Sequence, residues 1–235
     1  MHLANHHQPR RRGLTLVELL MATSVLGLLM TGVSTFFIQN FRASFITQQK
    51  LEINRDFRSV TSEMSSEARQ ANSFVLYKSF FPLPKDFSPS GDFRSPPNGV
   101  EATDYRQYAD HEGDFVVFIY YGEDDNYYDD TPAPITRIIG YFRDDREVVG
   151  AEAPVLKFDL DIPKESQTKS IETLIPSVEE AKEFTQVISM VNGLANGFLF
   201  YNIHGKSVLV NGKIIHGNDA KEVTGTYNFT ISPRG

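Results

Sequence analysis

The chain has no cysteine among its 235 residues, which excludes disulfides, thiolate metal sites and cysteine nucleophiles together and leaves the redox compartment open. It also has no excess of positive charge: the formal net charge is −7, whereas a phosphate-binding surface needs clustered Lys and Arg. Nucleic acid is therefore not the expected partner. No G-x-S-x-G elbow, phosphate-cradling glycine loop or H-E-x-x-H is present, and no internal repeat is apparent. Acidic residues are plentiful, but nothing in their spacing selects two for acid–base work, so the chain is not expected to be an enzyme. Hydrophobic content of 40% and charged content of 23% match ordinary globular usage and argue against global disorder. The length suits one moderate domain plus an extended element.

The charge is unevenly placed. Residues 1–13 carry Arg10, Arg11 and Arg12 with three histidines and no acid, so the chain without them has 20 basic against 30 acidic residues, a balance near −10. A basic tip on an acidic protein reads as a targeting feature. It precedes an apolar run, Leu14 to Ile38, whose one ionisable residue is Glu18. As a helix rising about 1.5 Å per residue, this run spans roughly 37 Å, enough for the hydrocarbon core of a bilayer. The three arginines would keep its near end cytoplasmic. A secretory signal peptide has a shorter apolar region, about 7–15 residues, ending in a small-x-small cleavage site. A plain one-pass anchor accounts for the length but not for Glu18, because a carboxylate inside a membrane costs on the order of 2.5–3.5 kcal/mol and calls for a partner charge.

The stretch Arg12-Gly13-Leu14-Thr15-Leu16-Val17-Glu18-Leu19-Leu20 resembles the processing site of type IV pilins and of the pseudopilins of type II secretion. That family combines a short basic leader, a glycine before the cut, a hydrophobic-Thr-Leu-hydrophobic-Glu pattern and an unbroken apolar helix. The resemblance implies that prepilin peptidase cuts between Gly13 and Leu14 and that the new Leu14 amine is methylated. It implies an assembly role for Thr15 and Glu18, with the Glu18 carboxylate neutralising the amine of an adjacent subunit. Two buried charges then become one pair, which also sets axial register. One departure is visible: many major pilins carry a helix-breaking proline where Thr35 stands here. Gly27 and Gly32 remain as weak points, each costing about 1 kcal/mol relative to Ala.

The helical pattern continues past the apolar run. Ile53, Phe57, Val60, Met64, Ala68 and Ala71 recur every three or four residues, with charged residues between them, as an amphipathic helix requires. One helix from about Leu14 to Asn72 is expected, its apolar stripe forming core. Its ending, followed by β-rich sequence, resembles the larger W-type minor pilins and J-type minor pseudopilins. Residues 82–99 are dense in Pro, Ser and Gly and read as a loop. Strands are expected at residues 74–81, 114–122 (the strongest, as a central strand), 135–143, 155–162, 198–204 and 222–231. Asn211-Gly212 is the strongest hairpin signal, flanked by strands at 207–210 and 213–216. A short helix is expected between Pro176 and Gln186, with Ser177 as its cap and Glu180 three residues later.

The expected fold class is α+β, with a long N-terminal helix on an antiparallel β-sheet head. Its divisions are a leader at 1–13, a membrane-spanning half at 14–38, an amphipathic half at 39–73 and a head at 74–235. The acidic run 123–130 gathers hard oxygen ligands, making Asp124, Asp125, Asn126, Asp129 and Asp130 the only calcium candidates. EF-hand spacing is absent and tyrosine is a poor ligand, so a solvated acidic loop is expected and no cofactor is needed. Asp144, Asp145 and Glu147 read as a turn. His2, His6 and His7 fall in the leader, while His111, His204 and His216 are single and lack zinc spacing. The expected partners are prepilin peptidase, other pilin-type subunits and the inner-membrane assembly platform. The expected location is the bacterial inner membrane, N-terminus cytoplasmic and head outside, and then the filament. The competing reading is a single-pass membrane-anchored extracytoplasmic binding or enzymatic domain.

Overall fold

A computed structural model describes residues 15–80, 105–122, 133–144, 152–177, 184–193, 197–218 and 221–234. The chain forms two compact units, Met1–Gln48 and Gln49–Gly235. Helix α1, Leu16–Gln70, contributes its first part to one and the remainder to the other. In the first unit every residue from Thr15 to Ser44 is exposed, and no Asp, Glu, Lys or Arg occurs between Glu18 and Arg42. This part of α1 is long and apolar enough to cross a membrane. Several of its polar side chains bond within the helix: Thr31 donates to the Gly27 carbonyl at 2.9 Å, Thr35 to the Thr31 carbonyl at 2.9 Å and Asn40 to the Phe36 carbonyl at 3.0 Å. In hydrocarbon such local bonding is the available alternative to water.

The second unit places the rest of α1 against a nine-stranded antiparallel sheet. The strands are β1 Ser73–Tyr77, β2 Glu112–Gly113, β3 Phe115–Tyr121, β4 Ile135–Arg143, β5 Ala153–Asp161, β6 Thr185–Gly193, β7 Phe200–Ile203, β8 Ser207–Asn218 and β9 Lys221–Ile231. The order β1-β3-β4-β5-β6-β8 continues through β7 to β2, and β9 pairs β8 separately. Strand β3 lies between β1 and β4 as a central strand should. Its Val116, Phe118 and Tyr120 join the core under α1, while Phe115, Val117 and Ile119 join a second core on the opposite face. Period-two alternation in a strand buried on both sides accounts for that division. The second core is closed by Phe80, Phe158 and a single α-turn, α2, Ile171–Leu174.

Ile53, Val60, Met64, Ala68 and Ala71 are buried and Phe57 packs beside them, so the apolar stripe expected from spacing does face the sheet. Glu63 reaches Lys157 on β5 at 2.7 Å, and Glu67 reaches Arg137 on β4 at 3.9 Å. The helix stops at Gln70, two residues before Asn72. Asn72 instead donates its N–H to the Ile119 carbonyl and accepts the Tyr121 N–H on its side chain, each at 2.9 Å, and these bonds start β1.

Three expectations need correction. Asn211-Gly212 is not a turn, because β8 runs straight through it. Gly212 instead makes room for Tyr227 on β9, whose ring would collide with a Cβ at that position. The observed β7–β8 turn is at His204-Gly205, with φ of 51° and 70° and the Lys206 N–H donating to the Ile203 carbonyl. Two consecutive positive φ angles give the type I′ geometry that matches strand twist. His204 therefore closes the strand expected at 198–204 one residue early. Thr185 and Gln186 belong to β6, not to a helix; pairing of Gln186 with Leu156 and of Thr185 with Lys157 overrides the local pattern. The remainder of that expected helix at 178–183, together with the 82–99 loop, lies outside the described residues.

Candidate functional site at the helix N-terminus

Thr15 stands immediately before α1 and Glu18 is in its first turn. The backbone N–H of Thr15 donates to Glu18 Oε2 at 2.9 Å, and the Thr15 hydroxyl donates to the same oxygen at 2.9 Å. The Glu18 N–H in turn donates to Thr15 Oγ1 at 3.3 Å. This reciprocal pattern is a capping box, in which two helix-end donors that lack backbone partners are satisfied by each other's side chains. The signal is present in the sequence as S/T-x-x-E, although there Glu18 stands out as a lone carboxylate in an apolar run and Thr15 only through the resemblance to a processing motif. Glu18 is thus not a bare carboxylate in an apolar helix. Its Oε2 is engaged locally, and its Oε1 has no hydrogen-bond partner among the described residues. Negative charge in the first helical turn also complements the partial positive charge of that end. Gly13 and Leu14 lie outside the described residues, as do Arg10, Arg11 and Arg12.

Other polar clusters in the second unit are built for cohesion. Asp114, between β2 and β3, is buried and accepts from Arg143 Nη2 at 2.5 Å and from the Leu199 N–H at 2.9 Å. Tyr77 and Arg106 both donate to Glu172 Oε1, at 2.9 and 2.6 Å. Burial raises the Glu172 pKa, but the Arg106 bond and further bonds from its own backbone and Tyr77 outweigh it and hold the carboxyl below its ordinary range. Burial, and then the Glu172 charge, push the Tyr77 phenol far above its usual range, so it stays a hydrogen donor. Spacing did not reveal these groups, since their partners are 29 to 95 residues apart.

His111 is exposed and hydrogen-bonds the Ala109 carbonyl through Nδ1 at 3.0 Å; His204 lies 3.2 Å from Asp110 at an exposed turn. Among the described residues no group of three His, Cys, Asp or Glu could hold a metal ion. The calcium candidates Asp124, Asp125, Asn126, Asp129 and Asp130, and Asp145 and Glu147 of the second acidic group, lie outside the described residues.

No curated protein and no solved structure matches the chain. Residues 8–34 match the family model of the prokaryotic N-terminal methylation motif. The match takes in Arg10 to Gly13, Thr15, Glu18 and much of the apolar first part of α1, and it supports a membrane-anchored, prepilin-processed protein of the pilin and pseudopilin kind.

Proposed function

We propose that the chain is a minor pilin or pseudopilin, a structural subunit of a type IV pilus or type II secretion filament. Prepilin peptidase cuts between Gly13 and Leu14, and the freed amine is methylated. Before assembly the chain sits in the bacterial inner membrane with its N-terminus cytoplasmic and its β-rich head outside. At the assembly platform the Glu18 carboxylate of one subunit neutralises the Leu14 amine of another. The capping box carries this reading: it holds Glu18 in the first turn of the helix and leaves Oε1 without a partner among the described residues, inside the matched motif. A buried amine and carboxylate each cost several kcal/mol alone and far less as a hydrogen-bonded pair. The large head favours a minor role, because a bulky head packs poorly along a close helical lattice.

The mature N-terminus tests the reading. Mass spectrometry of the protein from its own cells should find a chain beginning at methylated Leu14. A chain still beginning at Met1, or cut beyond Ile38, rules the reading out. Gly13→Glu should block cleavage and hold the precursor in the membrane. Recovery of the chain as the dominant component of purified fibres would overturn the minor role.

A further inference from the structure

Within the second unit, α1 presents chemically distinct faces. Ile53, Val60, Met64 and Ala68 are buried in the core under the sheet, and Glu63 and Glu67 are held by Lys157 and Arg137. A third face carries Arg58 and Arg69, with Thr61, Ser62, Ser65 and Ser66 between them at steps of three and four that keep them together. Arg234 is brought beside the helix end by its N–H bond to the Ala71 carbonyl at 3.0 Å. Together they line a groove of about 640 Å³.

Among the described residues no acidic side chain lines this groove. Among the described residues, Arg58, Arg69 and Arg234 have no carboxylate partner. Thr61 Oγ1 is shielded from solvent and lacks a hydrogen-bond partner, whereas Thr31, Thr35 and Thr47 on the same helix all donate to the carbonyl four residues back. Three cations along one groove, with no carboxylate partner among the described residues, present a positive site on an otherwise acidic chain, and such a site favours an anion that covers it. Arg58 and Arg69 are eleven residues apart, about 16 Å along a helix, so one small anion cannot engage both. The ligand needs at least two acidic groups over that distance. The serines between the arginines are small enough for another chain to approach the helix closely, and they offer hydroxyl donors. A nucleic acid would carry its phosphates past the whole acidic chain, while a protein need meet only the groove.

We propose that this groove docks an acidic segment of a neighbouring filament subunit, whose carboxylates the Arg58, Arg69 and Arg234 guanidiniums grip as forks. The proposal rests on the filament-subunit reading and adds the chemistry of one contact. Because the chain lacks cysteine, a single introduced thiol reports one position. Full-length Ser62→Cys, expressed in its own cells and labelled with a photoreactive maleimide, should crosslink to a pilin-type subunit through a peptide rich in Asp or Glu. The exposed control Thr168→Cys should not. Adding Arg58→Glu and Arg69→Glu should cut the crosslink at least about tenfold, since like charges facing each other cost several kcal/mol. Arg58→Gln with Arg69→Gln should give a smaller loss, which guards against misfolding as the cause. Lysine placed at the crosslinked acid should restore the reversed variant.

Crosslinking that is unchanged by reversal, absent from filaments containing the chain, or directed to lipid or nucleic acid overturns the proposal. The start of the mature chain is read in the same samples. Correct processing and incorporation without the groove contact would leave the filament reading standing, whereas an unprocessed chain would remove both.

Discussion

Glu18→Gln separates two roles that the capping box places on one side chain. Glutamine completes a capping box as glutamate does, because its carbonyl oxygen accepts the same N–H. The 2.9 Å bonds from the Thr15 N–H and hydroxyl should therefore survive, while the charge is lost. Glu18→Val removes both, and loss of a cap costs about 0.5–2 kcal/mol. If Glu18 neutralises an amine in the assembled filament, Gln leaves that amine buried and unpaired at a cost of about 3–5 kcal/mol. At about 1.4 kcal/mol per tenfold, incorporation should fall by more than about 100-fold. The assay shears filaments from cells, compares the chain in the sheared and membrane fractions by immunoblot, and scores cleavage by the mass of the N-terminal peptide. Gln and Val should both be cleaved and both stay in the membrane fraction. If Gln enters filaments like the wild type while Val does not, Glu18 acts as a cap alone and the pairing mechanism is refuted.

In the head, Asp114→Ala leaves Arg143 buried without its carboxylate and orphans the Leu199 N–H, so unfolding should become easier by about 3–5 kcal/mol. For a unit of this size that lowers Tm by roughly 6–20 °C, and Asp114→Ala with Arg143→Met should recover part of the loss; a fall below about 2 °C in the single variant would deny the pair its role. Because the folded pKa of Glu172 is depressed, its stabilisation is complete above its ordinary value of 4.5 and is lost as pH falls through the lower folded value. Acid melts should show this limb in the wild type and a flatter one in Glu172→Gln, which should also be less stable at pH 7. Gly225→Ala puts a methyl 2.6 Å from Ile53 Cγ2 and should cost about 1–3 kcal/mol, while adding Ile53→Ala should cost less than the two single changes summed. Additive denaturation midpoints would show that helix and strand do not meet there.

Sequence predicted the parts of this molecule whose contacts are local. The stripe Ile53, Val60, Met64 and Ala68 follows from a period of 3.6 residues, and Ile135–Arg143 from a bounded apolar run, each readable within one short window of sequence. Strand β6 was hidden because Thr185 and Gln186 owe their conformation to partners on β5 nearly thirty residues earlier. Asn211-Gly212 misled because glycine has two uses, and the one required here is space for Tyr227. The capping box is legible as a four-residue pattern, but an acid in an apolar run signals an unpaired charge equally well, and only the helix start decides that its oxygen accepts from Thr15. No local reading could bring Asp114 to Arg143 or Glu172 to Tyr77, because separation along the chain carries no signal of proximity.

The division of charge around α1 also fixes what the helix can present. Ile53 fits closely against Gly225, and Glu63 is held by Lys157 at 2.7 Å, so rotation of this part of the helix would break an apolar contact and an ion pair together. Glu67 adds bonds from the Tyr120 hydroxyl to its backbone carbonyl at 2.9 Å and to its carboxylate at 3.0 Å. With Glu63 and Glu67 drawn onto sheet cations, the face left outside carries Arg58 and Arg69 in a fixed register. A surface held by three independent contacts loses little conformational freedom on binding, and that preorganisation is what a specific docking face needs. Exchanging Lys157 for Met would release Glu63 and loosen that register. Contacts made through Arg58 and Arg69 should then weaken even though neither arginine has changed.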